Sequence, residues 1–286
     1  MNILLTNDDG IDSPGLRLLA KALRAQGLHR VFILAPDSDR SGVSGAISFL
    51  RGPLRLAERE SDSWACSGNP ADCVVLALLG AIPLRPDLVI SGINRGANMG
   101  TDLIYSGTAA AARQGSLFGI PSIALSLANT AAVNTASAAA INTTGAVSGY
   151  YWDMAVSFVL AHLDEFASQW EADTYINVNI PNGPAGPDGI AAAFPSKREY
   201  RDALTSFKAP NGDTWCFVKL GEVTTKPEPG SDWDMVSRNL ASVSPILIHP
   251  VNGGRGMDAG GRGMDAGGRG MDAGGRGMDA GGGGRG

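Results

Sequence analysis

Residues 2–10 read Asn-Ile-Leu-Leu-Thr-Asn-Asp-Asp-Gly, a short apolar run that ends in two adjacent carboxylates and a turn. The run Asn2 to Thr6 has the length and continuity of a strand buried on both faces. Ser13-Pro14 then opens a helix, with serine at the N-cap and proline in the first turn. Leu16, Leu19, Ala20 and Leu23 recur at helical spacing, and Gly27 closes the helix. Val31 to Ala35 is a second buried strand, stopped by Pro36. A strand, a helix and a strand of these lengths make a β-α-β unit, whose crossover is right-handed and whose sheet is parallel.

The unit repeats outward from there. Asn69-Pro70 caps a helix to about Leu79, and Asp87 to Ile90 is a buried strand. Ser91 to Gly100 is a loop rich in glycine and asparagine. Ser106-Gly107-Thr108 opens an alanine-rich helix ending near Gly119, and Pro121 to Leu127 is a further strand. The fold class is therefore α/β: a doubly wound, mostly parallel sheet, whose ligands belong at the carboxyl ends of the strands. Asn129 to Ser148, rich in Ala, Thr, Asn and Ser, is a loop or a poor helix. Tyr151 to Phe166 is helical, Tyr175 to Ile180 alternates as a strand, and Ala191 to Pro250 mixes short strands with turns, a smaller β-rich C-terminal extension. The main domain runs over residues 1–252, with a core of about 1–182 and an extension of about 183–252. From Gly253 the heptad Gly-Gly-Arg-Gly-Met-Asp-Ala repeats. Three glycines per repeat and almost no apolar side chains forbid a coiled coil, so residues 253–286 are expected to be a disordered tail.

Composition narrows the function. The chain has 286 residues, 44% hydrophobic, with a net charge of −5. That is enough apolar material for one sizeable core, and it carries no basic stripe of the kind that coats nucleic acid. No stable nucleic-acid partner is expected. Met1 to Thr6 is too short for a signal peptide or a membrane span, so a cytoplasmic protein without a membrane partner is expected. Cys66, Cys73 and Cys216 show no zinc or redox spacing and read as buried small apolar side chains. His29, His162 and His249 are scattered, so a metal site would need oxygen ligands.

Asp8 and Asp9 repel one another, and a hard divalent cation relieves that repulsion. An ordinary exposed turn is the alternative. Asn94 and Asn98 lie in the glycine-rich 91–100 loop, where they either shape a turn or offer amide oxygens to a metal, and Arg95 beside them can pair with phosphate. Ser41 lies in another polar loop and fits a plain turn equally. Ser106, Gly107 and Thr108 sit at a helix N-terminus, which attracts anions, although Ser106 could serve only as a cap. Lys197 and Arg198 in Pro195 to Tyr200 form a solvated charged turn or meet a phosphate. Together the loops supply carboxylates, amides, hydroxyls and an anion cradle, which suits metal-assisted hydrolysis of a phosphate ester.

Residues 3–11 (ILLTNDDGI), 35–42 (APDSDRSG), 68–74 (GNPADCV), 91–100 (SGINRGANMG) and 105–108 (YSGT) carry a specific resemblance. In that order and spacing the chain resembles the SurE (survival protein E) family of 5′/3′-nucleotidases. The resemblance is strong over residues 1–127 and weaker from Tyr151 to Pro250. It implies a Rossmann-like domain with a dimerising extension, and a homodimer or homotetramer. It implies one magnesium or manganese ion per subunit, held by Asp8, Asp9, Ser41 and Asn94, and nucleoside 5′- and 3′-monophosphates as substrates. On this reading Asp8 and Asp9 are also the catalytic pair, and Asn94, Arg95, Asn98, Ser106, Gly107 and Thr108 bind substrate. The chain departs from the family at Gly45 and Ala46, where relatives often carry Asn or His and then Ser. It also departs at Asn69, in the apparent insertion 129–148 and in the tail. His249 does not align with a family histidine. An aspartyl-phosphate route is disfavoured because the separated Asp-x-Asp pattern is missing. The rival activities are an exopolyphosphatase or a general acid phosphatase, and, from another class, a non-catalytic module that binds nucleotide and metal.

Overall fold

Strand β1 (Asn2–Thr6), helix α1 (Pro14–Gln26) and strand β2 (Arg30–Pro36) follow one another as the N-terminal residues require. Gly27 ends α1 in a left-handed conformation. Ser13 holds the N-cap position, but its hydroxyl accepts a hydrogen bond from Asn7 Nδ2 at 2.6 Å instead of capping the helix. The computed structural model describes residues 1–83, 85–129, 149–219, 223–225 and 228–249. Most of the expected loop or poor helix of residues 129–148 and the whole repeat tail from 253 lie outside them. Met1–Ile248 is one compact unit.

Further along the chain come β3 (Leu56–Glu60), β4 (Ser63–Cys66), α2 (Pro70–Leu78), β5 (Leu88–Arg95), a 3₁₀ turn (Gly100–Ile104), α3 (Gly107–Leu117) and β6 (Ser122–Ala128). After the gap follow α4 (Trp152–Ser168), β7 (Thr174–Pro181), β8 (Ile190–Ala192), β9 (Arg198–Tyr200), β10 (Ala203–Lys208), β11 (Thr214–Lys219), β12 (Val223–Thr225), α5 (Asp232–Ser237) and β13 (Ala241–Leu247). A nine-stranded sheet has the order β3-β4-β2-β1-β5-β6-β7-β13-β8. Its centre is parallel, whereas β3 on β4 and β13 on β7 are antiparallel.

Both faces of the sheet are covered, which is why its central strands are apolar without a break. Ile3 and Leu5 point into one core with α1 and α4, including Leu19, Leu23, Val159 and Phe166. Leu4, Phe32 and Leu34 point into the other, with Cys73, Val74 and Ala77 of α2 and Ala111 of α3. Each large side chain buried in this way contributes about 1.5–3 kcal/mol. Because β1 lies between β2 on one side and β5 on the other, the strand order reverses there, and the loops after β1 and β5 open a crevice at the sheet edge.

Two local readings change, and one holds. The expected loop from Ser91 is strand as far as Arg95, and a register shift between Ser91 and Asn94 against β6 lets the pairing continue past the glycine. The smaller β-rich C-terminal extension is present: β10–β11 and β9–β12 form small sheets of their own, while β8 and β13 join the main sheet. Cys66 and Cys73 are buried as expected, but Cys216 is exposed because every residue of β11 is exposed.

Candidate functional site

The crevice is tied together by its own backbone. Arg40 N donates to Asp8 O at 2.7 Å, Ile11 N donates to Pro36 O at 2.8 Å, and Arg95 N donates to Asp9 Oδ2 at 3.1 Å. The loops after β1, β2 and β5 therefore meet around the two carboxylates.

Asp8 is only 5% exposed. Thr108 Oγ1 donates to its Oδ1 at 2.5 Å. Gly107 lies so close that a Cβ there would stand 2.8 Å from the Asp8 Cβ, so any larger residue would push the helix end away. Burial pushes the Asp8 carboxyl up to about 6, against the pull of the Thr108 hydroxyl, and the charge of Asp9 adds to the rise. Asp9 is raised as well, again by burial first; the Arg95 N–H and guanidinium draw it back down, and Asp39 opposes them. Burial of these two carboxylates outweighs what the Arg95 charge gives back, so both stay above the ordinary carboxylate range.

The other candidates divide. Ser106 caps α3, its hydroxyl accepting from Ala109 N at 3.0 Å, and the Thr108 N–H at the start of the same helix faces Asp8. Asn94 sits near the end of β5 with its amide nitrogen donating to Gly96 O at 3.0 Å, which leaves its side-chain oxygen able to accept or ligate. Ser41 is exposed, and both its N–H and its hydroxyl go to Asp39 Oδ1, at 2.8 and 2.6 Å. Asn98 is drawn the other way. Its amide donates to Ser126 Oγ at 2.8 Å, its N–H to Asn179 Oδ1 at 2.8 Å, and its carbonyl accepts from Asn177 and Asn179 at 3.0 Å each. The structure thus joins Asp8, Asp9, Arg95, Gly107 and Thr108 directly, with Asn94 one residue away, and it holds Asn98 in a buried amide layer. Arg198 is not a solvated turn residue: it is buried against Asp102.

Sequence reading missed Asp39, Asn177 and Asn179. A signal for the last two was present, since Asn177-Val-Asn179 alternation puts both amides on one face of β7. Beside Asp9 lies a cavity of about 340 Å³ with two kinds of wall: Ile11, Pro14 and Trp152 are apolar, and Asp12, Asp39 and Arg95 are charged.

Among the described residues, no three His, Cys, Asp or Glu side chains come together as a metal cage. The donors beside Asp8 and Asp9 are hydroxyl and amide oxygens, which with two carboxylates suit a hard cation such as magnesium or manganese. Among the described residues, no helix is long and apolar enough to cross a membrane.

Comparison with known proteins gives the same family throughout. The family model described as survival protein SurE matches residues 3–202. A protein of Pelobacter propionicus named 5′-nucleotidase SurE is 36% identical, over 88% of this chain and 95% of its own. One of a Geobacter species with the same name is 38% identical over the same shares. The crystal structure of the SurE protein from Aquifex aeolicus superposes with a TM-score of 0.71 at 32% identity, covering 88% of this chain and 95% of that one.

Proposed function

The chain belongs to the SurE family, and on that premise we propose that it is a metal-dependent nucleotidase that hydrolyses nucleoside 5′- and 3′-monophosphates to nucleoside and phosphate. The observation that carries this reading is the grip of Thr108 on Asp8. It puts the buried Asp8, next to the half-buried Asp9, beside the N-terminus of a helix at the point where the strand order reverses.

Asp8, Asp9, the Asn94 amide oxygen and Ser41 would hold one divalent ion, with Ser41 turning its hydroxyl away from Asp39. When bound, magnesium or manganese supplies Lewis-acid polarisation and neutralises charge on the phosphoryl oxygens. The first-turn N–H groups of α3 and the Ser106 hydroxyl bind those oxygens, and the helix end stabilises the charge that grows on them. Asp9, held by the Arg95 N–H, orients the attacking water and takes its proton. Arg95 pairs with the phosphate at the mouth of the cavity, and the cavity beyond takes the nucleoside, its apolar wall against the base and its carboxylates toward the ribose hydroxyls.

The hairpin β10–β11 supports a homodimer or homotetramer. Phe207, Trp215 and Phe217 share one face, more than half exposed, and Phe207 stacks on Phe217 at 5.8 Å. A two-stranded ribbon with such a face is marginal by itself and is stabilised when a second copy covers it.

The test is phosphate release from AMP, GMP, 3′-AMP and polyphosphate, with manganese and with chelator. Release from the monophosphates that chelator abolishes is the expected result. Release from none of them would end the enzyme reading, and release from polyphosphate alone would replace the substrate.

A further inference from the structure

The 3₁₀ turn Gly100–Ile104 stands just before Ser106, and the residues that hold it come from far along the chain. Gly100 N donates to Asp232 Oδ2 at 2.7 Å, and Ser196 N donates to Asp232 Oδ1 at 2.9 Å. Gly100 is left-handed, and a Cβ on it would stand 2.0 Å from Ser196 O, so the two segments touch backbone to backbone. Thr101 Oγ1 accepts from Arg198 N at 3.1 Å. The Arg198 guanidinium, its side chain 5% exposed, pairs with the Asp102 carboxylate, and the Tyr200 hydroxyl donates to the other Asp102 oxygen. At its far end the turn holds the 41–45 loop: Ser44 Oγ donates to Ile104 O at 2.5 Å, and Ser44 N donates to Tyr105 O at 3.2 Å.

The turn is thus a hub. One side is fixed by Asp232 and by Arg198 and Tyr200 of β9, and the other leads to Ser106–Thr108 and to the loop that carries Ser41. A buried ion pair gains little stability over apolar packing, but it fixes one geometry, and breaking it from one side is costly. We propose that Arg198, Asp102 and Tyr200 are positioning residues for hydrolysis, setting the N-terminus of α3 and the Ser41 loop at the distance from Asp8 that the reaction needs. None of the three touches the reacting atoms. The proposal rests on the hydrolase reading above, and it adds that part of the active-site geometry is set by the C-terminal extension.

The test compares the unmodified chain with Arg198→Met and Tyr200→Phe, each checked for its unfolding temperature and assembly state. Steady-state kinetics use AMP with manganese, and inhibition is measured with orthovanadate and with inorganic phosphate. Displacing a cradle by a fraction of an ångström costs on the order of tenfold or more in rate. Folded Arg198→Met should lose about tenfold in kcat with KM changed less than about threefold. Its affinity for vanadate, which resembles the transition state, should fall with kcat while that for phosphate holds. Tyr200→Phe, which loses one donor to Asp102, should show the same split at about threefold, and it decides the matter if Arg198→Met does not fold. Unchanged kcat and vanadate affinity in the folded variants overturn the proposal. So does a loss of kcat that tracks loss of assembly and is reversed at high protein concentration. An unmodified chain that releases no phosphate is a separate result: it ends the hydrolase reading, and this proposal with it.

Discussion

Asp8 and the β10–β11 hairpin break the same rule in opposite directions. Asp8 is a carboxylate 5% exposed, and Phe217 is an aromatic ring 56% exposed. Burying an ionisable group costs several kcal/mol unless something compensates, and exposing a cluster of apolar rings loses the gain of burial. Each violation bears on a different part of the reading proposed above. The raised carboxylates support the proposed cation and phosphate chemistry, and the exposed rings support the proposed self-association. Changes at Asp8 should therefore act on chemistry, and changes in the hairpin on assembly.

The comparison breaks most readily at Asp8. Asp8→Asn should lower kcat on the order of a hundredfold or more, since it removes a charge the transition state depends on. Steady-state assay at saturating manganese checks this. The same substitution should raise the unfolding temperature of metal-free protein, because a neutral amide is cheaper to bury. An Asp8→Asn protein that is active, or less stable without metal, would separate the buried charge from function.

The next effect is a pH dependence of stability. Folded Asp8 keeps its proton up to about pH 6, whereas an unfolded aspartate releases it near 3.8. The stability contributed by this group is therefore full below 3.8 and is lost as pH rises through about 6. The loss amounts to about 3 kcal/mol. Chelator-treated protein should show it in denaturant melts between pH 4.5 and 7.5, and Asp8→Asn should flatten it. Manganese should raise the unfolding temperature more at pH 7.5 than at 4.5.

Thr108→Val comes third. It deletes the hydroxyl that holds Asp8 down, so the Asp8 carboxyl of metal-free protein rises further and the stability loss in chelator-treated melts extends to higher pH. A loss of about tenfold in kcat at neutral pH accompanies it. The smallest effect on chemistry belongs to the hairpin. Trp215→Ser with Phe217→Ser should turn the assembly monomeric in analytical ultracentrifugation, with kcat per subunit within about threefold of the unmodified chain.

Much of the first region was legible because its signals are local. An apolar run closed by Asp8-Asp9 and a helix opened at Ser106 are each contained in a few residues, and two core faces follow from Ile3, Leu4 and Leu5 in succession. What was not legible depends on partners far apart in the chain. The strand character of Ser91–Arg95 comes from β6, which pairs past a bulge. Arg198 reads as a surface residue until Asp102 is brought beside it, 96 positions away. Asn98 turns from the cradle because Ser126 and Asn179 supply better-buried partners. Asp39 takes the Ser41 hydroxyl through a contact two residues long, which a closer reading of Asp37 to Ser41 could have found.

On the reading proposed above, Asp8 and Asp9 are held against their own repulsion for the sake of a cation. Calorimetric titration of manganese into chelator-treated protein at pH 7.5 tests it most directly, run on the unmodified chain, Asp8→Asn and Asp9→Asn. One ion bound per chain in the unmodified protein and at least tenfold weaker binding in either variant is the expected result. Equal manganese affinity in all three would contradict it.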